Sequence, residues 1–111
     1  MLFEGSKVIL CHGVVDLRKG AAGLMSLVAE PEPGTWYLFS NRTRCLIKCV
    51  RSDGTGVWMA TRRLKQGYFH WIERAAGASV IAVKDADTIC RGDKIKRHPS
   101  DFSACNQRSY D

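Results

Sequence analysis

The chain has 111 residues, 45% of them hydrophobic and 25% charged, with a formal net charge of +6. That length holds one modest core and leaves no room for a second, and the composition is neither collagen-like nor poor enough in apolar residues for disorder. No apolar run approaches the roughly 20 residues of a membrane helix. Phe3 is followed by Glu4, Gly5, Ser6 and Lys7 rather than by a signal-peptide core, so the expectation is a cytoplasmic protein without membrane contact.

The opening run Lys7 to Cys11 is apolar and β-branched and reads as a strand, with His12-Gly13 at its end or in a turn. Asp16 stands where a helix N-cap belongs, and Leu17, Ala21, Leu24, Leu27 and Val28 then recur at helical spacing. Gly20 and Gly23 inside that helix suggest a close approach by the sheet or a ligand, and Pro31, Pro33 and Gly34 end it. Strands follow at Trp36–Ser40 and Arg44–Arg51, and Asp53-Gly54 marks a hairpin into a third at Val57–Arg62. A turn over Arg63–Gly67 leads to a fourth at Tyr68–Ile72. Beyond Ala75 the reading is a short strand at Ser79–Val83, two helical turns over Asp85–Arg91 ended by Gly92, and a polar tail from Lys94 to Asp111. The expected fold class is α+β: an antiparallel β-meander of four to five strands, one main helix after the first strand, and a short C-terminal helix. Residues 1–78 form the domain, and 79–111 form a divergent, partly irregular extension.

The charge is unevenly placed. Between Ser40 and Arg74 eight cations face two anions, so the whole excess lies in that segment. A basic patch on an otherwise neutral domain is the footprint of a polyanion binder, although a solvated face fits the charge equally well. Arg42, Arg44, Lys48, Arg62, Arg63 and Lys65, interleaved with Trp58, Tyr68, His70 and Trp71, are the candidate phosphate contacts. Arg18 and Lys19 form a second cluster in the expected first helical turn, where cations oppose the macrodipole. They are read either as a phosphate clamp or as Arg18 paired with Asp16.

Catalytic chemistry finds no purchase. His12, His70 and His98 stand in no triad context, and the carboxylates are few and already explained: Asp16 as a cap, Asp53 in a turn, Glu30 and Glu32 at a helix end. No enzyme activity is expected. The five cysteines are odd in number and irregularly spaced, which argues against a disulfide framework. Cys45 and Cys49, on one face of a strand, lie about 13 Å apart, too far to share a metal. The cysteines read as small buried hydrophobes, and Cys90, His98 and Cys105 lack the close pair that anchors zinc, so no metal and no cofactor is expected.

Several short motifs, taken in order, resemble one family. Asp16-Leu17-Arg18-Lys19-Gly20 is followed by Gly23-Leu24, then Asn41-Arg42 and Leu46-Ile47-Lys48, then Asp53-Gly54 with Gly56, then Arg62-Arg63-Leu64-Lys65-Gln66-Gly67-Tyr68-Phe69 with Trp71. This order resembles the TnpB-type accessory protein, the second open reading frame of the insertion sequence sixty-six group of bacterial transposons, over residues 7 to 74. Ser52 stands where that pattern has tryptophan and Ile72 where it has proline. The resemblance implies a helper in DNA transposition, acting beside a separate catalytic transposase and other element-encoded proteins. DNA, as transposon ends or non-specific duplex, is the expected ligand. The rival expectation is an adaptor that docks on the transposase through Trp36, Tyr37 and Tyr68 without touching DNA. A structured-RNA binder is the third.

Overall fold

The computed structural model describes residues 2–95. Five strands and two helices follow in the order β1 (Val8–Val14), α1 (Ala21–Met25), β2 (Trp36–Ser40), β3 (Leu46–Ser52), β4 (Val57–Arg63), β5 (Ala78–Ile81) and α2 (Val83–Cys90). The strands form one mixed sheet ordered β4-β3-β2-β1-β5, an α+β fold with a helix after the first strand and another at the C-terminal side. β2, β3 and β4 are a meander of two hairpins, and β1 runs parallel to β2, joined to it by the crossover that carries α1.

The sheet is covered on both faces. On one, Leu17, Leu24 and Met25 pack on Tyr37, Phe39, Leu46 and Val50. On the other, Ala86 and Ile89 of α2 pack with Phe3, Phe69, Trp71 and Ile72 on Val8, Leu10, Trp36, Leu38, Ile47 and Cys49. β2, buried along its whole length, is the central apolar strand that two covered faces require. Residues 78–90, which the sequence splits near an extension beginning at 79, supply the β5 edge and a helix of the same core.

Three local expectations are corrected. The segment Tyr68–Ile72 is not a strand: it pairs with no strand of the sheet, and Phe69, Trp71 and Ile72 instead pack across one sheet face as a lid. Trp71 Nε1 donates to the Cys11 carbonyl at 3.1 Å, and β4 is left as an edge. The main helix begins at Ala21, with Gly20 as N-cap, and Asp16 instead holds a turn by accepting the Arg18 backbone N–H at 3.0 Å. A helix starting at Leu17 would have put two cations in its positive first turn; starting at Ala21 avoids this. The sheet does not approach the glycines of this region: nothing lies within 4 Å of a Cβ built at Gly20, and the nearest atoms to one at Gly23 belong to the Lys19 side chain.

His12 also departs from expectation, lying inside β1 with no exposure. Its Nδ1 lies 2.8 Å from the Ile72 carbonyl and its Nε2 2.7 Å from Ser79 Oγ. With Nδ1 donating to the carbonyl, Nε2 accepts from the serine, which is the neutral imidazole. Burial, helped by Arg74 and Arg44, holds this histidine below its ordinary value of 6.5, against the opposing pull of the Ile72 carbonyl. The unfolded chain therefore binds the proton first as pH falls. The stabilisation from neutral His12 is present above pH 6.5 and is lost below it, at no more than about 1.4 kcal/mol per pH unit for one proton. Urea denaturation at pH 7 and pH 5 is expected to show this loss in the parent chain and a flatter response in His12→Gln.

Candidate nucleic-acid interface

Strand pairing decides which cations share a face. Phe39, Lys48 and Thr61 are cross-strand partners, as are Leu46 and Arg63, so Lys48, Thr61 and Arg63 lie on the α1 face. Ile47 pairs with Arg62, so Arg62 lies on the opposite face, beside Cys90. The adjacent arginines of β4 therefore serve different surfaces, as the period of two demands.

On the α1 face, the end of β1, the turn at Asp16–Arg18, the loop Asn41–Thr43 and the β3–β4 ladder enclose a concavity of about 890 Å3. Leu17 and Leu46 form part of its apolar floor. Its charged lining is Arg18, Arg42, Lys48 and Arg63 against the single carboxylate of Asp16. Lys48 sits half-buried in the row Leu46-Lys48-Val50, its ammonium 3.5 Å from the Lys19 carbonyl. Among the described residues, no carboxylate lies within ion-pair distance of Arg42, Lys48 or Arg63. Arg18 is different. Its Nη2 donates to Asp16 Oδ2 at 2.7 Å and its Nε to Oδ1 at 3.0 Å, and the guanidinium beside Asp16 holds that carboxyl well below the usual range. Both are solvent-exposed, so Arg18 remains able to exchange this partner for a phosphate.

The loop at the rim is tightly organised. Asn41 Oδ1 accepts the Leu46 N–H at 3.2 Å, and Cys45 Sγ lies 2.9 Å from Thr43 Oγ1. The hydroxyl of Thr43, the Asn41 amide and the nearby Arg63 hold the Cys45 thiol below its ordinary value. Asn41, Thr43 and Thr61, neutral donors that sequence reasoning passed over, line the concavity with the cations. The signal for Thr61 was there, two residues before Arg63 on the same strand face.

Arg44 leaves the set of candidate contacts. It is 6% exposed, its Nε and Nη2 donate to Glu73 at 2.9 and 2.8 Å, its Nη2 also reaches the His12 carbonyl at 2.9 Å, and the guanidinium lies 5.3 Å from the centre of the Trp71 ring. It ties the loop to β1 and the lid and does not line the concavity. Lys19 and Lys65 are exposed but line no part of the concavity, and Arg18 and Lys19 precede α1 rather than occupying its first turn. Of the two aromatic anchors proposed in β2, Trp36 is 6% and Tyr37 2% exposed, so both belong to the core; Tyr68 is 58% exposed.

His98 and Cys105 lie outside the described residues, so a zinc site with Cys90 falls outside them too. Among the described residues, no three of His, Cys, Asp and Glu converge as metal ligands, and no helix is long and apolar enough to cross a membrane.

Residues 6–100 match the family of IS66 Orf2-like proteins, TnpB_IS66. The chain belongs to that family, an accessory protein of IS66 transposition, and the match continues well past Arg74, where the motif resemblance stops. It is 31% identical over 103 residues to the uncharacterized protein y4hO of Sinorhizobium fredii (strain NBRC 101917 / NGR234), covering 88% of this chain and 89% of that one. It is 26% identical over 104 residues to y4jC of the same organism, covering 86% and 89%. No solved structure matches it.

Proposed function

We propose that the protein assists transposition by gripping DNA in the concavity on the α1 face, leaving bond breakage to the separate transposase. The observation that carries this is the convergence of Arg42, Lys48 and Arg63, without carboxylate partners among the described residues, and of Arg18 on one apolar-floored hollow. Cations on a rigid ladder and two short loops suit phosphate oxygens, which fix position on a duplex and carry little sequence information. The grip is therefore non-specific, with the target chosen by the transposase.

Fluorescence anisotropy on a labelled transposon-end duplex and a scrambled duplex, over a salt series, tests the proposal. Equal affinities are expected, with log K falling against log salt with a slope of about −3 to −4 for four contacts at 0.9 each. Absence of binding to both duplexes at low salt would remove DNA from the account.

One observation favours the adaptor reading as a second. A separate, more apolar hollow of about 640 Å3, lined by Ile9, Val15, Leu27, Val28 and Phe39, opens on the same face, with Leu27 49% exposed. A pull-down from nuclease-treated lysate separates the two, since a partner bridged only by DNA is lost there.

A further inference from the structure

β4 is a sheet edge seven residues long that carries Val57, Trp58 and Met59 at 40, 61 and 40% exposure. Long edges with exposed apolar side chains invite pairing with another strand. Two backbone bonds bracket the β3–β4 ladder, Leu64 N–H to the Cys45 carbonyl at 3.0 Å and Asp53 N–H to the Gly56 carbonyl at 3.1 Å. By antiparallel alternation Trp58, Ala60 and Arg62 bond to β3, while Val57, Met59, Thr61 and Arg63 turn their N–H and C=O groups outward.

The strand is also polar in the sense of charge: apolar at its start, cationic at its end. We propose that β4 pairs antiparallel with β4 of a second copy about a twofold axis at Ala60, normal to the sheet. In that register Trp58 meets Arg62 of the second copy, Val57 meets Arg63 and Met59 meets Thr61, so every cation faces an apolar side chain. The outward N–H and C=O groups of Met59 and Thr61 then answer each other. Trp58 is already held for this contact, its Nε1 donating to Asp53 Oδ2 at 3.0 Å. Two of the alternative registers fit worse. Centring on Met59 carries both arginines past Val57 of the partner strand, and centring on Arg62 sets arginine against arginine. The axis leaves both basic concavities on the same side of a continuous sheet, but the pairing itself does not depend on DNA.

Sedimentation velocity of the full chain, free of nucleic acid and over a concentration series, is the test. The expected result is a concentration-dependent species of twice 12.4 kDa. Thr61→Pro removes an N–H that the β3–β4 ladder does not use, and Met59→Lys sets a charge diagonal to Arg63 of the second copy; each is expected to shift the chain to monomer. Met59→Lys carries the comparison where the proline variant loses its fold. Ala60→Cys is expected to give an oxidative cross-link between copies at that position, absent from the parent chain. A parent chain that stays monomeric throughout, a dimer undiminished in Met59→Lys, or a cross-link mapping to other cysteines overturns the proposal. Because no nucleic acid is present, failure here leaves the DNA reading standing, and failure of DNA binding leaves this one.

Discussion

Arg44→Ala is expected to destabilise the protein by about 2–4 kcal/mol, while the DNA affinity of the molecules that remain folded stays unchanged. The guanidinium side chain is 8% exposed, and its removal deprives the His12 carbonyl of a charged donor and Trp71 of its cation. Glu73, 61% exposed, is not stranded by the change because water replaces the arginine, which keeps the loss below that of a fully buried pair. Backbone conformation supplies an internal control. Arg44 has φ +57°, the left-handed region, which alanine tolerates no better than arginine. Arg44→Gly relieves that strain and is expected to recover about 1 kcal/mol relative to Arg44→Ala. Urea denaturation of the three chains measures both differences. A loss below about 1 kcal/mol in the alanine variant would mean that the buried guanidinium contributes no more than an ordinary surface pair.

The second large effect concerns the concavity. Arg42→Ala, Lys48→Ala and Arg63→Ala combined remove three phosphate contacts and are expected to flatten the salt dependence by about 2.7 in slope. At roughly a tenfold loss for each charge-assisted contact, affinity at low salt falls about a thousandfold, equally for transposon-end and scrambled duplexes. Arg42 and Arg63 are exposed and Lys48 half-buried, so the fold is expected to survive. Arg62→Ala, one position along the same strand but on the opposite face, is the matched control and is expected to leave the slope within one contact of the parent value. Equal losses from Arg62→Ala and Arg63→Ala would show that net charge, and not this hollow, determines binding.

Much of this architecture is written in local pattern. Trp36–Ser40 emerges as a strand with the boundaries read from sequence, because an aromatic and aliphatic run between Gly34 and Asn41 has no helical competitor. The Asp53-Gly54 turn forms as expected, with Gly54 at φ +90° and Asp53 Oδ1 accepting the N–H groups of Thr55 and Gly56. Alternation correctly separated Ile47 and Cys49 from Leu46, Lys48 and Val50. What escaped the sequence is non-local. Nothing distinguishes Arg42 from Arg44 along the chain; only the return of Glu73 and Trp71 over the sheet buries the second and leaves the first in water. The parallel pairing of β1 with β2 likewise depends on a long crossover whose helix proved to be five residues long. The opposite facing of Arg62 and Arg63 follows from the strand's period of two, which a count of charge along the chain does not contain.

In the proposed function DNA lies in the hollow between the Asp16–Arg18 turn, the Asn41–Thr43 loop and the β3–β4 ladder. Backbone amide NMR during titration with a short duplex locates the contact residue by residue. The predicted result is salt-sensitive shift changes confined to residues 14–18, 41–43, 46–48 and 61–63. Changes concentrated on α2 and β5, or none at duplex concentrations that saturate anisotropy, would contradict it.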